Sequence, residues 1–315
     1  MPERHAMSPA VPRFAIAIPQ MLSQPRADPA ALQAFLARAE ALGFESAWVM
    51  EQILGQALSL EPVALLSFAA AVTRRLSLGT AVLLTPLRSP VQLAKSLSTV
   101  DQLSGGRLIV GVGLGGNPRV YPAFGISPER RVRRFTEGLQ LMKRLWTEER
   151  VTFHGEFWTL DGAAMEPKPI QKPHPPIWFG ARQPPALRRA VELGDGFIGA
   201  GSSSTAEFRE QGAQVRAYLA EARRDPSTFT IGKRVYLAVD PDRARSLGRL
   251  REWCGRFYGN PALADQVAIV GDVGECLEGL REVRAAGAEF LLLNPVFDEM
   301  RHLELLAGEI MPALA

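Results

Sequence analysis

The feature that most constrains this chain is an alternation of short apolar runs with helix-patterned segments, sustained over nearly all of its 315 residues. "RFAIAIP" (13–19), "SAWVM" (46–50), "LSLGTAVLL" (76–84) and "RLIVGVG" (107–113) read as strands, as do "PIWFGA", "DGFIGAG", "FTIGKRVYLAV" and "EFLLLNPV" further on. Most are nearly all apolar, as expected of parallel strands covered on both faces. Helix signals fill the gaps. Asp28 and Pro29 supply an N-cap and an N1 proline, followed by Leu32, Phe35, Leu36 and Ala39 at helical spacing. Residues 129–146 set Val132, Phe135, Leu139, Met142 and Trp146 on one face as a core stripe. Eight strands alternating with about eight helices predicts a (β/α)8 TIM barrel. An open doubly wound sheet gives the same alternation, so closure stays open at this level.

The pattern breaks once, over about residues 147–176. "VTFHGEFWTL" reads as a hairpin, and "EPKPIQKPHPP" as an extended connector, because each proline disfavours helix at the residue before it. The alternation then resumes. The break is therefore read as an insertion after the fourth helix of a single barrel domain over 13–315, with 1–12 as a loose tail lacking a secretory h-region. No uncharged apolar run approaches the ~18 residues of a membrane span. Cys254 and Cys276 do not form a disulfide framework, so a reduced, cytoplasmic location is the default. Net charge is +3 with the arginines scattered, which argues against a nucleic-acid partner. There is no G-x-S-x-G elbow. His5, His154, His174 and His302 are too dispersed for a metal site, and none is expected.

"RLIVGVGLGGNP" (107–118) places Gly111, Gly113 and Gly116 in the spacing of a dinucleotide fingerprint. That fingerprint needs a helix to start inside the glycine run, so that free N–H groups point at a pyrophosphate. Pro118 and Pro122 deny the helix. Two readings remain: glycines that let a flat ring lie against backbone at a strand end, or a tight strand exit with no ligand. "FGARQPP" and "GAGSSST" each bring glycines to a strand end just before a helix start. Backbone N–H groups, a hydroxyl and Arg182 can converge there on a dianion. Glu51 follows an apolar strand into the same mouth, where burial would raise its pKa. Asp240 and Asn294 end the seventh and eighth strands on that side. Asp195 precedes its strand and reads as structural.

"TAVLLTPLRSPVQLAKSLSTVDQLSGGRLIVGVGLGG" resembles the central signature of the bacterial luciferase-like superfamily. "RRFTEGLQLMKRLWTEERVTFHGEFW", "PKPIQKPHPPIWFGA", "ALRRAVELGDGFIGAG" and "GAEFLLLNPV" match in order, so the resemblance runs from about residue 14 to the C-terminus. It implies a (β/α)8 barrel with an insertion after the fourth helix, binding reduced FMN or the deazaflavin coenzyme F-420 at the C-terminal mouth. The activities it implies are oxygen insertion into a small organic substrate, taken first here, or hydride transfer with the deazaflavin. Some relatives hold flavin without known catalysis. A separate flavin reductase and a homodimer belong to the same set of expectations.

Position by position, the resemblance implies that Thr80, Ala81 and Val82 form a third-strand bulge with a non-proline cis bond at Ala81–Val82. Gly113, Leu114 and Gly115 would flank the ring. Gly180, Ala181 and Arg182, with Gly199, Ala200, Gly201 and Ser202, would hold the phosphate. Glu51 and Gln52 are the catalytic candidates. Two departures stand out. Gln52 occupies the place of a histidine, and a glutamine cannot move a proton at neutral pH. Gly116 occupies the place where sugar-phosphate dehydrogenases of the family carry a glutamate.

Overall fold

The computed structural model describes residues 13–315, so the tail expected over 1–12, with His5, lies outside the described residues. The first half of the chain lays down β1 (Arg13–Ala17), α1 (Pro29–Ala41), β2 (Ser46–Val49), α2 (Pro62–Val72), β3 (Ser77–Thr80), β4 (Leu83–Leu84), α3 (Pro90–Ser104), β5 (Leu108–Gly113) and α4 (Arg131–Thr147). The segment between α4 and the next barrel strand holds an antiparallel hairpin, β6 (Val151–His154) with β7 (Thr159–Ala163). Then follow β8 (Ile177–Phe179), α5 (Pro184–Leu193), β9 (Gly196–Gly199), α6 (Thr205–Glu221), β10 (Thr230–Val239) and α7 (Arg243–Tyr258). The chain ends with α8 (Leu263–Val267), β11 (Ile269–Gly271), α9 (Val273–Ala285), β12 (Phe290–Asn294), α10 (Glu299–Leu305) and α11 (Met311–Leu314).

Pairing settles the question of closure. β1 pairs in parallel with both β2 and β12, β12 with β10, and β10 with β9, which completes the ring β1-β2-β3-β5-β8-β9-β10-β12. An open sheet would leave two edges; here β11 hangs on the end of β10, and β4 continues the line of β3 beside β5. The barrel is plugged by Trp48, Trp178 and Phe290, whose ring centroids lie 5.0–5.4 Å apart. Gly79 makes this packing fit: a Cβ there would lie 2.3 Å from the Trp48 ring. Above the plug, the C-terminal ends of the strands enclose space.

Two local expectations are corrected. Val132 sits on the first turn of α4 but faces solvent, while Phe135, Leu139, Met142 and Trp146 are buried. Prolines 118 and 122 exclude an α-helix but not a 3-10 turn: Pro118–Phe124 forms one, capped by Asn117 and pinned by Tyr121 Oη donating to Leu114 O at 2.7 Å. Between α10 and α11 the chain makes a π-turn at Leu306–Ile310 just before Pro312, which has no N–H to give the helix. No helix among the described residues is long and apolar enough to cross a membrane.

Candidate active site at the barrel mouth

The third strand does not run straight into the mouth. Gly79 pairs with Ile109 and Leu83 with Val112, so four steps on one strand oppose three on the other. The extra residue is a β-bulge, and the peptide between Ala81 and Val82 within it is cis. The Thr80 hydroxyl is turned away from the mouth, bonded to both the N–H and the carbonyl of Gly111 at 2.8 Å. Ala81 N donates to Val49 O at 2.7 Å, which ties the bulge to β2.

The glycines opposite the bulge answer to it. Gly111, Gly113 and Gly115 alternate along β5 and its extension, so they share one face. A Cβ at Gly111 would lie 1.7 Å from Thr80 O, one at Gly113 2.7 Å from Val82 Cγ2, and one at Gly115 3.2 Å from Leu84 Cδ2. Gly180 faces Val82 Cγ1 at 3.0 Å. The reading that these glycines clear room for a ring directly is therefore revised. They make room for the bulge and Val82, which then form one wall of the cavity. Gly116 has no neighbour within 4 Å of its Cβ position.

The cavity measures about 580 Å³, within the usual size range for small-molecule sites. Ala81, Val82, Gly113, Leu114 and Gly115 line one side, and residues 180–182 and 199–202 line the other. Glu51 lies at its edge with its side chain committed. The carboxylate accepts from Arg88 Nε at 2.8 Å, from Arg88 Nη2 and from Leu84 N. Burial pushes the Glu51 pKa up and Arg88 opposes that. Glu51 thus anchors β4 just past the bulge. Gln52 does not line the cavity; its amide donates to Phe257 O at 2.9 Å. Two outcomes follow. Gln52→Ala should leave ring binding unchanged in a fluorescence titration. Glu51→Gln should lower unfolding stability in denaturant by about 1–3 kcal/mol, the loss being limited because Arg88 keeps Glu61.

The opposite side of the cavity is built from two strand exits. β8 runs into Gly180, Ala181 and Arg182 before α5, and β9 runs into residues 200–204 before α6, where Ser204 and Glu207 form a capping box. Arg182 Nη2 donates to Ser202 Oγ, linking the two exits. Gly201 lies against Tyr236, where a Cβ would fall 2.6 Å from the ring.

Sequence reasoning missed Arg234. It lies in the mouth on β10, only 5% exposed. Its guanidinium donates to Asn294 Oδ1 (2.8 Å from Nε), to Met50 Sδ (3.3 Å) and, at 3.4 Å, to Ala81 O in the bulge. Among the described residues no carboxylate pairs with it. A buried cation without a counter-charge is electrostatically costly, and an anion in the cavity would offset that cost. The available signal was "KR" in the middle of an otherwise apolar strand. Asn294 therefore holds Arg234. Asp240 belongs to a turn, accepting from Asp242 N and Arg245. Asp195 Oδ2 accepts from Ile177 N, and His302 accepts from Val239 N, so both are structural.

These residues fit a flat, phosphate-bearing ring system: an apolar slot, a buried cation facing it, and a glycine-rich seat with an arginine and a hydroxyl at one end. A larger groove of about 1050 Å³ opens between the β1–α1 loop and α7, but it contains neither the bulge nor the glycine exits.

Comparison with known proteins identifies the family and the fold. The family described as luciferase-like monooxygenase matches residues 14–289. An F420-dependent glucose-6-phosphate dehydrogenase of Intrasporangium calvum is 28% identical, over 88% of this chain and 92% of its own. The monooxygenase RslO1 of Streptomyces bottropensis superposes with a TM-score of 0.79 at 26% identity, covering 96% of this chain and all of the other. An F420-dependent secondary alcohol dehydrogenase shares the fold with a TM-score of 0.84 at 22% identity, covering 96% of this chain and 99% of its own.

Proposed function

The chain belongs to the luciferase-like monooxygenase family, and from that premise we propose that this oxidoreductase uses reduced FMN to insert oxygen into a small organic substrate. The observation that carries the reading is the character of the mouth: a buried Arg234 without a carboxylate, in a cavity whose one lining carboxylate, Glu51, is already committed. Glu51 is held by Arg88 and Leu84 N, and Tyr258 Oη is engaged with Tyr236 Oη at 2.6 Å. Such a site suits a reaction whose redox chemistry comes from the cofactor while the protein supplies position, charge and dryness. Bound reduced FMN would supply the electrons that activate dioxygen. Arg234 would stabilise negative charge on the reduced ring or on a substrate oxygen. Ala81 and Val82 would support one face of the ring. Gly180, Ala181, Arg182, Gly199, Ala200, Gly201 and Ser202 would hold the phosphate through backbone N–H groups, a hydroxyl and a guanidinium.

A second reading, dehydrogenation with the deazaflavin F-420, is favoured by the name of the Intrasporangium relative. Its sugar-phosphate substrate is not carried over, because Gly116 brings no side chain to the mouth and Gln52, held by Phe257 O, is not among the lining residues. Anaerobic titration with reduced FMN and with reduced F-420 separates the readings. The proposal expects micromolar binding of reduced FMN, followed by oxygen-dependent reoxidation of the bound cofactor. Tight binding of F-420 alone, with no reaction on admitting oxygen, would favour the second reading. Failure of both to bind would remove both.

A further inference from the structure

β10 carries two adjacent cations, and strand alternation sends them to opposite faces. Arg234 enters the mouth. Lys233 lies beneath the loop that follows β9, only 3% exposed, and its ammonium donates to the carbonyl oxygens of Ala200 and Ser203. The same loop carries Ser202, bonded to Arg182, and a buried Ser203 Oγ without a hydrogen-bond partner. The acid that acts on Lys233 is Glu207 on α6, and its carboxylate is already occupied by the N–H of Ser204. Arg182 from the loop after β8 and Arg234 from its own strand both repel it. Three cations thus surround one short loop, and the one acid acting on Lys233 is committed to a helix cap.

We propose that Lys233 is a positioning residue that holds this loop ready for an anion from behind, and that a phosphate dianion seating on the loop is accompanied by proton uptake on Lys233. The inference rests on reading the loop as the seat of a phosphate-bearing ring. Its physical basis is a charge left deficient until the ligand arrives. Burial, with the repulsion of Arg182 and Arg234, lowers the Lys233 pKa to about 7, and Glu207 only partly opposes this. A dianion nearby favours the charged ammonium and raises that pKa. Between the free and bound values, binding consumes a proton, so affinity falls as pH rises.

The test is the pH dependence of FMN binding against that of riboflavin, which lacks the phosphate, by fluorescence titration of the full chain from about pH 7 to about pH 9. The FMN phosphate remains a dianion over that range, since its second pKa lies near ~6. FMN affinity should weaken by about ten- to fifty-fold across it, while riboflavin affinity stays flat. Lys233→Met should bind FMN more weakly at neutral pH and lose the slope. Lys233→Arg, which keeps its charge, should retain affinity and lose the slope. An FMN profile parallel to that of riboflavin, or a wild-type slope in Lys233→Met, overturns the role of Lys233 and leaves the phosphate seat standing. No FMN binding at any pH overturns the seat and this inference together.

Discussion

Arg234→Met is expected to separate function from stability. The variant should unfold close to the parent's temperature, because relief of an uncompensated buried charge offsets the loss of its hydrogen bonds to Asn294 Oδ1 and Ala81 O. It should lose at least about 10²-fold in kcat/KM, the range found when a preorganised group facing developing charge is removed. The diagnostic readout is the ratio of affinities for reduced and oxidised FMN. A cation beside the ring favours the form that carries negative charge, so the parent should prefer reduced FMN and the variant should lose about tenfold or more of that preference. Arg234→Lys should recover part of it, since an ammonium keeps the charge without the planar fork that reaches Asn294 and Ala81 together. A variant with an unchanged ratio would place Arg234 among purely structural residues.

The second large effect concerns the glycines, which share a motif but not a role. Gly111→Ala is expected to abolish soluble folded protein: the new methyl would sit 1.7 Å from Thr80 O, a backbone atom fixed by the bulge, and no rotamer change relieves it. Gly113→Ala meets a side chain instead, Val82 Cγ2 at 2.7 Å. It should destabilise by about 1–3 kcal/mol, as overpacking does. Combining it with Val82→Ala should restore most of that stability while leaving ring binding weakened, because Val82 is part of the cavity wall. Gly116→Ala should change stability by less than about 0.5 kcal/mol, since its Cβ position is open. Thermal and denaturant unfolding of the set gives the ranking. Equal effects at Gly111 and Gly116 would contradict the assignment of Gly111 to the bulge.

Much of the fold was legible because parallel strands buried on both faces leave unbroken apolar runs, and the eight runs in the sequence are the eight strands of the barrel. Closure was not legible. Nothing in "RFAIAIP" or "EFLLLNPV" says that the first and last strands pair, which they do through Phe14 with Leu291 and Ile16 with Leu293. Val132 fitted the helical spacing of α4 and still faces solvent, because a stripe read from sequence does not show where the covering element ends.

The candidate site was legible in outline, and a glycine run, one glutamine and two buried cations show where sequence reading stops. A glycine run reveals a face without Cβ atoms but not what presses on it, and here a neighbouring strand does. Gln52 follows Glu51 directly, yet the chain turns at the strand end and carries its amide to Phe257 O. Arg234 and Lys233 were passed over because charged residues in the middle of a strand usually face solvent. Both are buried here, on opposite sides of the barrel wall.

A crystal structure of the protein with bound FMN tests most directly whether the ring lies between the third-strand bulge and the exits of β8 and β9. The expected structure has the phosphate within hydrogen-bond distance of Arg182, Gly201 and Ser202, with the ring against Ala81 and Val82 and one edge toward Arg234. FMN bound instead in the groove between the β1–α1 loop and α7, beside Trp253 and Phe297, would contradict it.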